Sequence, residues 1–156
     1  MYKQYFYGSK LHSVCSAAGV IQSLHLTNAS VHDVHYLKVV KELFNNCIIV
    51  GDKGYISRQQ QINLFETDGI ELEVPLRSNQ KEQTPTIWIL KKLRKRIETV
   101  FSQLCDQFMM QRNYAKSFTG FKSRVLAKVT GLTVLQYLNK FLYNKPVGRV
   151  KHTLAD

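Results

Sequence analysis

The short apolar run Cys47-Ile48-Ile49-Val50, followed at once by Gly51 and Asp52, constrains the fold of this chain more than any other feature. The run is rich in β-branched residues and shows no alternation of polar and apolar side chains. Such a pattern predicts a strand that is covered on both faces, as in a sheet between helices. Asp52 then stands at the carboxyl end of the strand, where open α/β sheets bind their ligands.

Before this run, the sequence predicts two strands and a helix. The strands cover residues 5–16 and 20–27, on either side of a Gly-containing turn. The helix begins at Ser30, and Asp33 is interpreted as the third residue of its capping box. An ordinary capping role of this kind would leave Asp33 without a part in chemistry.

After the run, the sequence predicts three more helices and another strand. The short helix begins at Ser57 and ends near residue 69, and the strand covers residues 70–74 before a polar loop at 76–85. Apolar stripes at helical spacing predict two long helices, at residues 87–110 and 120–142. We expect Trp88 to lie in the core. The order of elements indicates one mixed α/β domain over residues 1–145, with a frayed basic tail at 146–156.

The charge of the chain favours a polyanionic partner. There are 22 Lys and Arg against 11 Asp and Glu, a net charge of +11. Nucleic acid is the first candidate, and the alternative is a solvated cationic surface or a ribosomal-type basic protein. Three widely spaced cysteines predict neither a zinc ribbon nor a disulfide framework. Since no apolar run could span a bilayer and the first residues are unlike a signal peptide, we expect a cytosolic protein with no membrane partner.

Glu98 is the second carboxylate of interest. It lies one step from the apolar stripe of the first long helix, on a face that also carries Lys91 and Arg94. An ordinary salt bridge between Arg94 and Glu98 would explain this spacing equally well. In the same way, Asp52 could do no more than cap the turn after its strand.

Four ordered blocks carry a resemblance to a known family. Gly51-Asp52-Lys53-Gly54-Tyr55 resembles the second acidic motif of the insertion-sequence DDE transposases, and Arg94-x-x-x-Glu98 resembles their third. Tyr7-Gly8-Ser9-Lys10-Leu11-His12 and Thr27-x-Ala29-Ser30-x-His32-Asp33 resemble the strand pair and the following helix of that family. The resemblance extends from Tyr5 to Lys145.

This resemblance implies a ribonuclease H-like fold, a mixed sheet flanked by helices, in which three acidic residues hold two Mg²⁺ ions. Asp52 and Glu98 would be catalytic residues and metal ligands in the cleavage and strand transfer of DNA at insertion-sequence ends. The partners implied are double-stranded DNA, at the insertion-sequence ends and at the target, and a second copy of the chain. The residues expected to contact DNA are basic and surround the third motif: Lys91, Lys92, Arg94, Lys95, Arg96 and Arg112.

The chain also departs from the family pattern. The first catalytic Asp of the family precedes the block at residues 7–12, and the few residues before that block leave no room for its strand. We therefore expect a chain truncated at its N-terminus, with an incomplete metal site, without the first strand, and with an unpaired edge on the strand at 47–52. Lys91 and Cys105 also stand where some relatives have Tyr and Lys. The alternatives are an inactive transposase remnant that only binds DNA or a full-length transposase, and an unrelated RNA-binding module.

Overall fold

A strand pair, two short parallel strands and four α-helices make up the described part of the chain, which covers residues 8–75 and 88–154 in the computed structural model. The mixed α/β class predicted from the sequence is confirmed. The chain divides into two units, one formed by residues 1–13 and 23–94 and the other by residues 14–22 and 95–156. The predicted loop at 76–85 and the first residues of the predicted first strand lie outside the described ranges.

The strand pair consists of β1 (Ser9–Cys15) and β2 (Ile21–Asn28). Backbone hydrogen bonds from Ala29 to Gly8 and from Ser16 to Val20 close its two ends, so the strands run antiparallel. Gly19 has a φ of +86° in the connecting turn, a conformation that glycine adopts without steric cost. The Gly-containing turn predicted here is therefore confirmed.

The first unit continues with α1 (Tyr36–Leu43), β3 (Ile48–Val50), α2 (Arg58–Asp68) and β4 (Glu71–Glu73). The two strands pair in parallel, with Ile49 opposite Leu72. α2 packs on β4 and α1 packs on α2. The most deeply buried apolar side chains of this unit are Tyr36, Leu37, Val40, Leu64, Ile70 and Leu72.

The prediction that β3 is covered on both faces is wrong. Ile48 is 62% exposed, and Ile49 and Val50 are only half-buried. Among residues 8–75 and 88–154, β3 pairs with β4 alone, so most of the apolar burial falls on α1, α2 and β4 instead. A short apolar run does not by itself tell how many neighbours will cover it.

Helix α3 (Trp88–Asp106) begins in the first unit and ends in the second. The second unit also contains α4 (Phe118–Phe141) and a 3-10 turn at Val150–His152. Its buried apolar residues are Val100, Leu104, Val125, Val129, Leu132 and Val150. No helix in the described ranges is long and apolar enough to cross a membrane.

Two expectations about the ends of the long helices are wrong. Trp88 is 70% exposed, and the ammonium group of Lys92 lies 5.8 Å from the centre of its ring. Residues 147–154 are not frayed, because the side-chain amide of Asn139 donates to the carbonyls of Pro146 and Arg149, and Val150 is buried. A buried polar side chain on α4 thus fixes the segment that follows the helix.

Candidate active site

Asp52 lies in the turn that follows β3. The Gly51 amide donates to the carbonyl of Glu73 at 2.8 Å, which extends the strand pairing by one residue. Asp52 then caps a 3-10 turn at Lys53–Tyr55, and its Oδ1 accepts the Lys53 amide at 2.8 Å. The side chain is nevertheless 73% exposed. Its carboxylate therefore caps the turn and faces solvent at the same time.

Arg94 is brought to this carboxylate by the first turns of α3. Its Nη1 lies 3.5 Å from Oδ1 of Asp52. Both side chains are partly exposed, so water and salt weaken the attraction, and a pair of this kind stabilises a fold by about 1 kcal/mol or less. The sequence placed Arg94 beside Glu98, and the partner that the structure adds is Asp52.

Tyr55, the last residue of the turn, is held from within the unit by His12. The Tyr55 hydroxyl lies 2.9 Å from Nδ1 of His12, and Nε2 of His12 lies 2.9 Å from the hydroxyl of Thr27. Burial lowers the pKa of His12, and burial together with the Asp33 carboxylate raises the pKa of Tyr55. At neutral pH both groups are therefore uncharged, and each ring nitrogen of His12 has a hydroxyl as its partner.

Tyr36 completes the surroundings of His12. The two rings stack with centroids 5.1 Å apart, and the Tyr36 hydroxyl is hydrogen-bonded to the Ser23 hydroxyl at 2.8 Å. Tyr36 is 3% exposed and His12 is 4% exposed, so this stack belongs to the core of the first unit. The ring nitrogens of His12 and the hydroxyls of Tyr36 and Ser23 thus all have hydrogen-bond partners within this unit.

Asp33 does not belong to a capping box, contrary to the sequence interpretation. The N-cap of the 3-10 turn at Asp33–His35 is His32, whose Nδ1 accepts the Val34 amide at 3.3 Å. The Asp33 carboxylate accepts instead from the Lys10 ammonium at 2.9 Å, and Lys10 also donates to the carbonyl of Val31. The residue is therefore fixed by a partner 23 positions away in the chain.

The same carboxylate lies against Gly54 in the turn of Asp52. A Cβ atom added at Gly54 would stand 2.6 Å from Oδ2 of Asp33, which is closer than two such atoms can approach. Only glycine fits this position while Asp33 is held in place. The second glycine of the Gly-Asp-Lys-Gly-Tyr motif is thus explained by a tertiary contact.

Glu98, the other predicted ligand, is an exposed residue of α3 in the second unit. It lies one helical turn after Arg94. Of the residues predicted to contact DNA, Lys91, Lys92, Lys95 and Arg112 are exposed, whereas Arg94 and Arg96 are half-buried. The stem of Arg96 packs against the hairpin turn, where a Cβ on Gly19 would lie 3.1 Å from its Cδ.

The donor chemistry of Asp52 fits a hard cation. Mg²⁺ prefers carboxylate oxygens, keeps several of its waters, and in many enzymes takes its remaining ligands from substrate phosphates. An exposed carboxylate at a strand end can supply one such ligand. Within residues 8–75 and 88–154, however, no three His, Cys, Asp or Glu side chains are grouped so that they could hold a metal ion.

Comparison with known proteins identifies the family. A family model for the transposase DDE domain matches residues 2–134. The chain belongs to this family. Its mixed α/β fold is that of a ribonuclease H-like DDE domain, its functional class is that of the transposases, and the family acts on DNA with divalent metal ions. No curated protein and no solved structure matches the chain.

Sequence reasoning missed how the motif residues of this DDE domain contact one another. Lys10, His12, Asp33 and Tyr55 all stand in these motifs, yet of the four only Asp33 was given a role, as a capping residue. A signal was available, because His12 and Tyr55 are polar residues inside motifs that gave them no chemical task. The Lys10–Asp33 contact spans 23 positions and the His12–Tyr55 contact spans 43, separations that no local pattern encodes.

Proposed function

We propose that this chain takes part in metal-dependent cleavage and strand transfer of DNA at insertion-sequence ends, with Asp52 as a metal ligand. The observation that carries the proposal is the position of Asp52, an exposed carboxylate at the carboxyl end of β3. Ligands bind at that edge in α/β sheets. We further propose that the chain acts on double-stranded DNA in the cytosol.

The Arg94 guanidinium beside Asp52 supports this assignment. A carboxylate that binds a cation next to a phosphate diester works beside positive charge, which offsets the repulsion between the two anions. Arg94 is close enough to Asp52 to serve either anion, since its Nη1 is 3.5 Å from Oδ1. We therefore assign to Arg94 a contact with a DNA phosphate once a cation occupies Asp52.

Glu98 is proposed as a second ligand on the strength of the family's third motif alone. Together with Asp52 it would give two carboxylates, which Mg²⁺ commonly completes with waters and substrate phosphate oxygens. When bound, the metal ions would polarise the phosphate and activate the attacking hydroxyl or water. The protein contributes the fixed carboxylates and the basic side chains that orient the DNA.

Cleavage of DNA by the purified chain tests the proposal. The substrate is duplex DNA ending in the terminal inverted repeats of its own insertion sequence, with Mg²⁺ or Mn²⁺ added. We expect Asp52→Asn and Glu98→Gln each to lower the cleavage rate on the order of a hundredfold, the effect typical of losing an electrostatic contact to the reacting group. DNA affinity in EDTA should stay within about twofold of the parent, because neither residue is needed for the basic surface.

Matched controls separate loss of a ligand from loss of charge. Glu66→Gln on α2 and Asp106→Asn on α3 remove one exposed carboxylate each, as the test variants do. Both controls should cleave like the parent chain. Equal rates for the parent, Asp52→Asn and Glu98→Gln would reject the proposed ligands.

A second function is supported by a specific observation. Because the described ranges contain no group of three metal-binding side chains, the chain could act by binding DNA or a full-length transposase without cleaving. Tight DNA binding with no cleavage in either metal, and no effect of the Asp52 and Glu98 substitutions, would establish this binding role. Tight binding to structured RNA with no preference for DNA ends would instead favour the RNA-binding alternative.

A further inference from the structure

We propose that Asp33, Lys10, His12 and Tyr55 are positioning residues that hold the turn at 52–55 so that Asp52 is presented at the end of β3. The inference rests on the proposed role of Asp52 as a metal ligand. None of the four residues needs to touch DNA or metal to act in this way. What joins them is a set of contacts that reach the turn from different elements of the first unit.

The first anchor acts on Gly54. Oδ2 of Asp33 occupies the space where a side chain at Gly54 would begin, and Oδ1 is hydrogen-bonded to Lys10 at 2.9 Å. Lys10 in turn donates to the carbonyl of Val31, just before the 3-10 turn that carries Asp33. Lys10 therefore ties the carboxylate of Asp33 to the backbone at Val31, and the backbone of Gly54 lies against the carboxylate.

The second anchor acts on Tyr55. Its hydroxyl is bound to His12, which is 4% exposed and is held on its other side by Thr27. The ring of Tyr55 also lies back under the end of the strand, because a Cβ added at Gly51 would stand 3.6 Å from its Cδ2. The residue therefore joins the end of the turn both to the hairpin and to β3.

The carboxylate of Asp52 depends on the turn that these anchors hold. Oδ1 accepts the Lys53 amide at 2.8 Å, and the carbonyl of Asp52 accepts the Tyr55 amide at 3.0 Å. If the turn opened, both bonds would break and the direction of the Asp52 side chain would change. Residues that orient ligands in this way commonly change metal affinity without touching the metal.

Amide hydrogen exchange of Lys53 and Tyr55 tests the positioning role without any metal. We expect Tyr55→Phe, Asp33→Asn and Lys10→Met each to accelerate exchange at both amides about tenfold, because local opening of the turn becomes easier. Lys10→Arg keeps the ion pair with Asp33 and should restore slow exchange. The control Tyr114→Phe removes a hydroxyl from a tyrosine that is 79% exposed and should change nothing.

Titration with Mn²⁺, followed by paramagnetic broadening of the Gly54 amide signal, measures the metal arm. Affinity should fall about tenfold in Tyr55→Phe and in Lys10→Met, recover in Lys10→Arg, and vanish in Asp52→Asn. Exchange at Lys53 and Tyr55 that is unchanged in all three variants would overturn the positioning role. Broadening that persists in Asp52→Asn would instead refute the ligand role of Asp52, whereas accelerated exchange would still support the anchors.

Discussion

At the scale of single residues, the carboxylate of Asp52 caps a turn and at the same time stays open to solvent. One carboxylate oxygen accepts the Lys53 amide, and the group is still 73% exposed. The capping bond restricts the rotation of the side chain in the absence of the cation that we propose it binds. A ligand restricted in this way loses less conformational entropy on binding, which is the physical content of preorganisation.

His12 gives the residue scale a pH-dependent prediction. Burial lowers its pKa below 6.5, the nearby Asp33 carboxylate opposes this effect, and Lys10 and His25 reinforce it. Below pH 6.5 the unfolded chain therefore binds a proton more readily than the folded chain does. Above pH 6.5 His12 is neutral in both states, and its titration does not lower the free energy of unfolding. As the pH drops below 6.5, the free energy of unfolding should fall, by at most about 1.4 kcal/mol per pH unit for one group.

Urea unfolding at a series of pH values between 5 and 8 measures this effect. His12→Gln introduces an amide that can both donate and accept a hydrogen bond but cannot titrate, so the stability of this variant should vary less with pH in this window. The matched control is His35→Gln, which replaces an exposed histidine and should preserve the slope of the parent chain. A parental slope in His12→Gln would assign the dependence to other groups.

At the scale of elements, the long helices were predictable and the contacts of short elements were not. α3 and α4 fall where repeated apolar spacing over 19 and 24 residues predicts them. β3 has only three residues, and a run that short does not reveal that Ile48 stays exposed. The role of Asp33 could not be predicted either, because its partner Lys10 lies on β1 and not within the same helix start.

The buried face of α4 illustrates the same limit. The apolar stripe predicts Leu135, Leu138 and Leu142 as inner positions, yet Leu142 is 63% exposed, and Gln136 and Asn139 are almost fully buried. Gln136 donates to the Gly19 carbonyl in the hairpin turn, and Asn139 donates to carbonyls beyond the helix. Polar residues enter a core where they pair with backbone groups that would otherwise lack a partner. The helical period contains no information about those groups.

Gly131 in the middle of α4 gives the element scale its prediction. Replacing an interior helical glycine by alanine ordinarily stabilises a helix by about 1 kcal/mol. Here the added Cβ would stand 2.9 Å from Cε1 of the half-buried Phe108 ring. Because overpacking of this kind costs about 1–3 kcal/mol, we expect Gly131→Ala to lower the free energy of unfolding by up to about 2 kcal/mol.

A second background shows whether the Phe108 ring is the cause. In Phe108→Ala the space beside Gly131 is open, so adding Gly131→Ala should now stabilise the protein by about 1 kcal/mol relative to Phe108→Ala alone. Thermal and urea unfolding of the four proteins give the coupling. If Gly131→Ala destabilises equally in both backgrounds, the contact with Phe108 does not explain the glycine.

At the scale of the whole molecule, the position of the basic residues says more about DNA binding than the net charge does. The net charge is +11, and the exposed basic side chains on α3 include Lys91, Lys92 and Lys95. Five of the seven residues from Leu90 to Arg96 are Lys or Arg, and none of the seven is acidic. This segment includes Arg94 of the third motif and ends two residues before Glu98, so a DNA strand bound along it would lie beside that motif. The total charge alone, by contrast, would bring any polyanion to the surface.

Salt dependence of DNA binding distinguishes these two possibilities. Each phosphate that a cation neutralises adds about −0.9 to the slope of log affinity against log salt concentration for duplex DNA. We expect Lys91→Gln and Lys95→Gln each to make the slope less steep by about 0.9, as measured by fluorescence anisotropy with labelled duplex DNA. Lys38→Gln removes the same charge from an exposed position on α1 and should leave the slope unchanged. Equal effects from all three substitutions would mean that the net charge attracts DNA without a defined contact along α3. A defined contact would lower the slope only for the side chains that neutralise a phosphate.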